Sequence, residues 1–270
     1  MFLNIKNTQN INNLIIFLSI IIHIIAPYTN IGFFAMDEHF QILEPLAYKL
    51  DLRDKHINEI WEFGAAMRPW TQVYFYYVIV LFLKSLSIND PFIWIYVIQT
   101  LLSVLGFISL FLFYRYLIYK KFIQPSIFNT FIYFLFVFNI FLHCRTSSEN
   151  LSITLFIFGI YFFLKNLNYN ENKFWLIILS SIFLGFSLLV RYHIIFLMVP
   201  FYLWLIIYKK SFIQIVYSSI VILIILIFGL FLDYLGYGKF YNTYYNYYYY
   251  NMVIGIFDNF GIEPWWYYIS

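Results

Sequence analysis

Seven carboxylates fall between Met36 and Trp70: Asp37, Glu38, Glu44, Asp51, Asp54, Glu59 and Glu62, more than half of the 13 in the chain. Asp37 and Glu38 directly follow an apolar run, which sets them at the height of a bilayer surface if that run crosses the membrane. A carboxylate there can act as general base on an acceptor hydroxyl, stabilise an oxocarbenium-like centre, or hold a divalent cation. Two acids can also merely mark the outer end of a helix. His39, Gln41, Glu44, Glu62 and Arg68 crowd the same short segment, so Asp37 and then Glu38 are the catalytic candidates, with His39, Glu44 and Glu62 as substrate contacts.

Three arginines extend the candidate site. Arg68, in Arg68-Pro69-Trp70, has a planar fork that suits a phosphate or Asp37, and its bland role is an interfacial anchor. Arg145 opens the polar island Arg145-Thr146-Ser147-Ser148-Glu149-Asn150, a set of donors suited to a pyrophosphate or a sugar, with Glu149 as a second carboxylate. The same island also reads as a loop followed by a helix N-cap. Arg191 interrupts a further apolar stretch, where a charge faces phosphate or simply ends a helix.

The elements that must hold these residues are membrane helices. With 63% hydrophobic and 11% charged residues, the chain lacks the polar surface a water-soluble fold requires. A net charge of +3 and the lack of basic runs interleaved with stacking aromatics leave no case for a nucleic-acid partner. Cys144 is the sole cysteine, which excludes an internal disulfide and a thiolate metal cage. No P-loop, dinucleotide fingerprint, zinc helix or nucleophile elbow is present.

Apolar runs lie at about 14–35, 71–86, 91–118, 127–142, 151–164, 174–190, 193–208 and 212–232, predicting roughly eight membrane helices. The first reads as a retained helix and not a cleaved signal, because no small-residue cleavage site follows it. The run 91–118 exceeds one crossing and is a candidate for tilting or a break near Gly106. Between the first two runs, Phe40, Leu43, Ala47 and Leu50 share one face of an amphipathic surface helix, and Ile57, Ile60 and Trp61 suggest a shorter one. Arg115, Lys120, Lys121, Lys209 and Lys210 favour a cytoplasmic end. Counting every run as a full crossing puts the 36–70 loop and the 143–150 island on opposite sides, so the parity stays open. Residues 233–270 read as a polar-aromatic interfacial loop, and a chain this structured to its last residue reads as a fragment.

Five motifs then stand in order: Asp37-Glu38-His39-Phe40-Gln41-x-Leu43-Glu44; Trp61-Glu62-Phe63 with Arg68-Pro69-Trp70; Arg145 to Asn150; Asp233-x-x-x-Tyr237-Gly238-Lys239-Phe240 with Asn246-x-x-x-x-Asn251; and Phe260-Gly261-x-x-Pro264-Trp265-Trp266-Tyr267-Tyr268. From about residue 36 to the end this series resembles the Alg9-like mannosyltransferases, glycosyltransferase family 22, which include glycosylphosphatidylinositol mannosyltransferases and bacterial relatives. The resemblance implies an all-α polytopic membrane enzyme of the GT-C type, with a single domain over 1–270 and a structured first outer loop, 36–70, that carries the catalytic acid. It implies a polyprenyl- or dolichyl-phosphate sugar donor, a glycolipid or lipid-linked glycan acceptor and inversion at the anomeric carbon. The family's loop acid falls on Asp37. The setting implied is the endoplasmic reticulum membrane in a eukaryote, or the cytoplasmic (inner) membrane in a bacterium.

The sequence reading is therefore a mannosyl or similar transferase, with no certain cofactor and a divalent cation permitted by the carboxylates. A lipid or solute transporter is the competing class. It calls for charges at helix centres and two similar halves, whereas the charges here gather in loops and no repeat is visible. A non-catalytic subunit of a glycosylation complex is the third reading.

Overall fold

The structure is a computed structural model describing residues 5–30, 32, 35–53, 57–167, 173–209 and 211–256. The expected Phe260–Tyr268 motif and Asp54 lie outside the described residues. Among the described residues all regular structure is helical: α1 (Ile5–Thr29), α2 (Met36–Glu38), α3 (Glu44–Lys49), α4 (Trp61–Gly64), α5 (Thr71–Ser85), α6 (Pro91–Tyr119), α7 (Ile127–Leu135), α8 (Val137–His143), α9 (Ser148–Asn166), α10 (Phe174–Val190), α11 (Ile195–Trp204), α12 (Phe212–Tyr237) and α13 (Thr243–Tyr248). Among the described residues four stretches are long and apolar enough to cross a membrane: Thr8–Thr29, Pro91–Tyr119, Tyr192–Lys209 and Phe212–Tyr237. Ile127–His143 and Phe174–Val190 are shorter apolar helices. Polar residues at its start, Ser148, Asn150, Ser152 and Thr154, dilute α9.

Local chemistry sets the boundaries. Asp90 caps α6 by accepting from the Phe92 amide at 2.8 Å, and Pro91 occupies the first turn, where its missing N–H costs nothing. The helix runs unbroken through Gly106, so the expected break is absent; the glycine serves packing, because a Cβ there would sit 2.5 Å from the His143 ring. The break comes instead in the run 127–142, at Phe136, where the backbone turns extended. The Asn139 side-chain amide donates to the Ile132 and Tyr133 carbonyls there, supplying freed backbone acceptors inside an apolar setting. Gly238, at φ 70°, ends α12 in the left-handed conformation that glycine adopts without a Cβ clash.

Contacts sort the helix ends into two levels. At one end Tyr114 meets Thr130 at 2.7 Å and the Tyr116 hydroxyl reaches the Leu164 carbonyl at 3.2 Å, which groups the end of α6 with the start of α7 and the end of α9. At the other end Asn30 donates to the Cys144 carbonyl, Gln72 to the Thr146 carbonyl and the Trp70 amide to Asp233. The ends of α1, α8 and α12 and the starts of α5 and α9 therefore share that level. Arg191 pairs with Glu149, which adds the end of α10.

The run 71–86 stands apart. Its first residues touch Thr146, while Lys84, in its last turn, lies over Trp94 near the start of α6, and Tyr96, two residues on, packs on Tyr28 at the end of α1. Both ends of α5 thus stay near the end that holds the acidic loop. The loop 36–53 and the 145–149 island therefore lie together at one end of the bundle, and Arg115 and Lys120 follow α6 to the opposite end.

Beneath the acidic loop lies one apolar cluster, with Ile42, Leu46, Leu50, Ile57, Ile60 and Phe63 packed on Trp70, Val73, Tyr76, Val80 and Leu83 of the α5 region. The amphipathic face differs from the expected one. Phe40 is 44% exposed, and the buried series is Ile42, Leu46, Leu50. His39–Leu43 winds as a π-helix, whose extra residue per turn rotates every later side chain relative to an α-helical count. Ile57 and Ile60 are buried as expected, and Trp61 faces outward.

Candidate functional site

Asp37 and Glu38, the paired acids of α2, diverge. Asp37 is exposed and lines a pocket of about 180 Å³ with Gln41, Arg145, Ser147, Ser148 and Glu149. Glu38 lines the same pocket, but the residue is 2% exposed and its carboxylate accepts from the Thr146 hydroxyl at 3.3 Å. One turn of helix thus presents one acid to the cavity and uses the other to fasten the loop to the 145–148 segment.

That segment is held by its own polar groups. Ser147 caps α9 by accepting from the Asn150 amide, and the Asn150 side chain donates to the His143 and Arg145 carbonyls at 3.0 and 2.7 Å. The bland N-cap reading and the functional one therefore hold together, since the capped turn is what carries Arg145 into the pocket. The Arg145 guanidinium lies 4.4 Å from the Phe141 ring centroid, within cation–π range.

Arg68 pairs with neither Asp37 nor an interfacial surface. Its Nη2 donates to Glu62 Oε1 at 2.7 Å, and both side chains are largely buried. Gln41 approaches the same carboxylate oxygen at 3.4 Å. Burial depresses a guanidinium, but the Glu62 hydrogen bond and charge, with weaker help from Tyr247 and Asp37, outweigh it and raise Arg68 above its ordinary value. Arg68 Nε remains buried without a hydrogen-bond partner, as does Nη1 of Arg191. Arg191, at the extended residue that stops α10, pairs through Nη2 with Glu149 at 2.6 Å. Between the two arginines stands Tyr247: the Arg68 guanidinium is 5.7 Å from its ring centroid, and burial raises the phenol while the charges of Arg68 and Arg191 pull it back.

His39 and Glu44 sit elsewhere. His39 Nε2 is 3.3 Å from Glu44, and Glu44 also pairs with Arg53, a network that ties the loop to itself and lines neither polar pocket. Of the nine sequence candidates, the structure brings Asp37, Glu38, Arg145 and Glu149 around one cavity, with Glu62, Arg68 and Arg191 next to it, and sets His39 and Glu44 apart.

A second polar pocket, lined by Gln41, Ile42, Arg68, Pro69, Gln72, Val73, Ser148 and Val190, shares Gln41, Ile42 and Ser148 with the first. Gln72 and Val190 also line a third cavity of about 530 Å³, walled almost wholly by apolar side chains of α5, α9, α10 and α12 such as Phe75, Leu151, Phe158, Phe183 and Phe228. A hydrocarbon-lined groove therefore lies next to the polar site, with Gln72 and Val190 as the shared wall. Gln72 is the residue the sequence reading missed. It donates to the Thr146 carbonyl and accepts from Ser148 at 2.8 Å, and nothing in its sequence neighbourhood, TQVYFYY, marks it except a lone amide among aromatics.

Among the described residues no group of three or more His, Cys, Asp or Glu side chains is arranged to hold a metal ion. The carboxylates around Asp37 are accompanied by Arg145, a donor set that suits an anionic substrate more readily than a cation.

No curated protein and no solved structure matches the chain significantly. The model of the Alg9-like mannosyltransferase family matches residues 14–270, an overlap that takes in every helix described above except the first turns of α1. On that match, and with an all-helical architecture whose polar site sits at one end of a bundle of apolar helices, the chain belongs to the Alg9-like mannosyltransferase family and is a membrane mannosyltransferase.

Proposed function

We propose that the protein moves a mannosyl residue from a polyprenyl- or dolichyl-phosphate donor to a glycolipid or lipid-linked glycan acceptor, with inversion, in a single GT-C-type domain. The observation that carries this reading is the succession of adjoining pockets: Asp37 and Arg145 line the first, Arg68 and Gln72 the second, which shares Gln41 and Ser148 with the first, and Gln72 also lines the apolar groove. A donor with a charged head and a long hydrocarbon tail needs an apolar surface that ends at cationic donors, and the order of these pockets matches that need.

The acceptor hydroxyl approaches from the open side of the first pocket, where Asp37 takes its proton as the new glycosidic bond forms at the anomeric carbon. The bond from that carbon to the phosphate oxygen breaks, and the lipid phosphate leaves with the electron pair. Phosphate is a good leaving group, so charge stabilisation by Arg68, with Arg191 and Arg145 nearby, replaces a strong general acid. Glu38 and Glu62 act through the groups they hold, Glu38 on the 146–148 turn and Glu62 on Arg68. Seven segments cross the bilayer, namely α1, α6, α7 with α8, α9, α10, α11 and α12, while α5 lies against the surface as the floor of the acidic loop. The loop 36–70 and the segment from 233 onward face the non-cytoplasmic side, whether of the endoplasmic reticulum or of a bacterial inner membrane. The carboxylates near Asp37 permit a divalent cation, with Arg145 beside them.

The test is transfer from radiolabelled polyprenyl-phosphate mannose into a lipid extract of the source membrane, using purified Asp37→Asn. A positioned base contributes about 10²–10⁴-fold, so transfer falls by that factor while binding of polyprenyl phosphate is retained. Wild-type transfer by the variant would remove Asp37 from the mechanism. Movement of mannolipid between leaflets without any transfer would favour the transporter class.

A further inference from the structure

We propose that Asp233 is a positioning residue for Arg68: one buried carboxylate at the end of α12 fixes the turn that aims this guanidinium at the site. Asp233 is 1% exposed. A charge removed from water this completely is tolerated only where its oxygens are used. Oδ1 accepts from the Trp70 backbone amide at 2.7 Å, and Oδ2 accepts from the Thr243 hydroxyl at 2.6 Å. The carboxylate therefore binds α12 to the first residue of α13 on one side and to the residue preceding α5 on the other.

The surrounding chain converges on the same turn. The Tyr237 hydroxyl, one helical turn beyond Asp233, donates to the Arg68 carbonyl at 2.7 Å. The Asn246 side chain donates to the carbonyls of Ala65 and Ala66, both at 3.2 Å. Ala66 has φ 49°, in the left-handed region that alanine rarely adopts, so the turn is strained and needs outside partners to persist. Gly236 completes the grip: a Cβ there would lie 2.2 Å from Trp70 Cγ, so only glycine lets the fully buried indole lie against α12.

Five contacts from 233–246 thus hold residues 65–70 on both sides of Arg68, while the Arg68 side chain itself donates to Glu62 and lies near the Tyr247 ring. The backbone is set by α12 and α13, and the fork by Glu62. The sequence motif Asp233-x-x-x-Tyr237 acquires a reason in this arrangement: spacing i, i+4 puts a carboxylate and a phenol on one helix face, one for the amide of Trp70 and one for the carbonyl of Arg68.

The proposal rests on Arg68 facing the donor phosphate, and its test separates the two ideas. Purified full-length protein is used, with a short-chain polyprenyl phosphate as the probe. Asp233→Ala weakens binding about tenfold, Arg68→Ala does the same, and the double variant binds no more weakly than Arg68→Ala, because both changes remove one interaction. Asp233→Asn, which keeps an acceptor for Trp70 and can donate to Thr243, stays within about threefold of wild type, the size of one modest hydrogen bond. Hydrogen exchange over 65–72 reports the clamp without ligand: Asp233→Ala loses protection at Trp70, and Asp233→Asn retains it. Multiplying losses in the double variant, or unchanged protection and binding in Asp233→Ala, would overturn the proposal. If Arg68→Ala binds like wild type while Asp233→Ala loses protection, the clamp stands and the phosphate role of Arg68 fails.

Discussion

At the residue scale, two ion pairs at the same site differ in what they contribute, and burial decides it. Glu62 and Arg68 have side chains only 10% and 14% exposed, so their bond is weakly screened, and losing one partner strands the other. Glu62→Ala is expected to cost about 2–3 kcal/mol, read as a lower thermal midpoint in detergent, with Glu62→Gln recovering most of it because the amide oxygen still accepts. Glu149 pairs with Arg191 at a shorter distance, 2.6 Å, yet its side chain is 51% exposed. Solvent competes for that carboxylate, and Glu149→Ala is expected to change stability by less than about 1 kcal/mol in the same assay. A loss for Glu149→Ala as large as that for Glu62→Ala would show that distance, and not burial, governs these pairs. Asp37 and Glu38 make the same point about function, since adjacent acids of one type are separated into an exposed and a buried role by a single step of helix.

At the element scale, close helix contacts depend on residues with no side chain to spare. Gly106 in α6 faces His143 at the end of α8, whose Nδ1 meets His23 Nε2 of α1 at 3.1 Å. Three helices meet at that point, so the ring has little freedom to retreat. Gly106→Ala is expected to destabilise by about 1–3 kcal/mol through overpacking, in spite of the better helix propensity of alanine, and thermal unfolding in detergent measures it. A gain in stability would mean that the imidazole pair yields freely. The π-helical turn at His39–Leu43 is the second device at this scale. It turns Ile42, Leu46 and Leu50 onto the apolar cluster and leaves Phe40 outside. An α-helical register would bury the set expected from period counting alone.

At the scale of the whole molecule, the position of α5 decides which polar segments meet. A helix of 15 residues spans about 22 Å at 1.5 Å per residue, short of a ~30 Å hydrocarbon core, and its buried face packs on the acidic loop. Single cysteines at the exposed residues Trp61, Leu86 and Phe122, in a Cys144→Ala background, test the topology in sealed vesicles. Trp61→Cys and Leu86→Cys are expected to react with a membrane-impermeant thiol reagent from the same side, and Phe122→Cys from the other. Labelling of Leu86→Cys together with Phe122→Cys would make α5 a full crossing and would part the acidic loop from the 145–149 island.

How much of this was legible in advance follows from the range of the forces involved. Composition and apolar runs determined a helical membrane protein, because hydrocarbon burial and backbone hydrogen bonding are satisfied within each segment and leave their mark along it. Motif order pointed to the family, and the clustering of Asp37, Glu38, Glu62, Arg68, Arg145, Glu149 and Arg191 into a few polar segments marked the end of the bundle that carries the site. The sequence left undecided how these residues pair, since Arg68 has several acids within reach and only packing places its fork on Glu62. It passed over Gln72 and placed Asp233 in a motif without giving it a role, because both roles arise from partners 74 or more positions away, Thr146 for the first and Trp70 for the second. Apolar periodicity reports what each segment buries, whereas the approach of distant segments depends on side-chain fit and on hydrogen bonds that close only when the chain is folded. That is why the acids of residues 36–70 were visible at once, and the division of labour among them was settled by the tertiary structure.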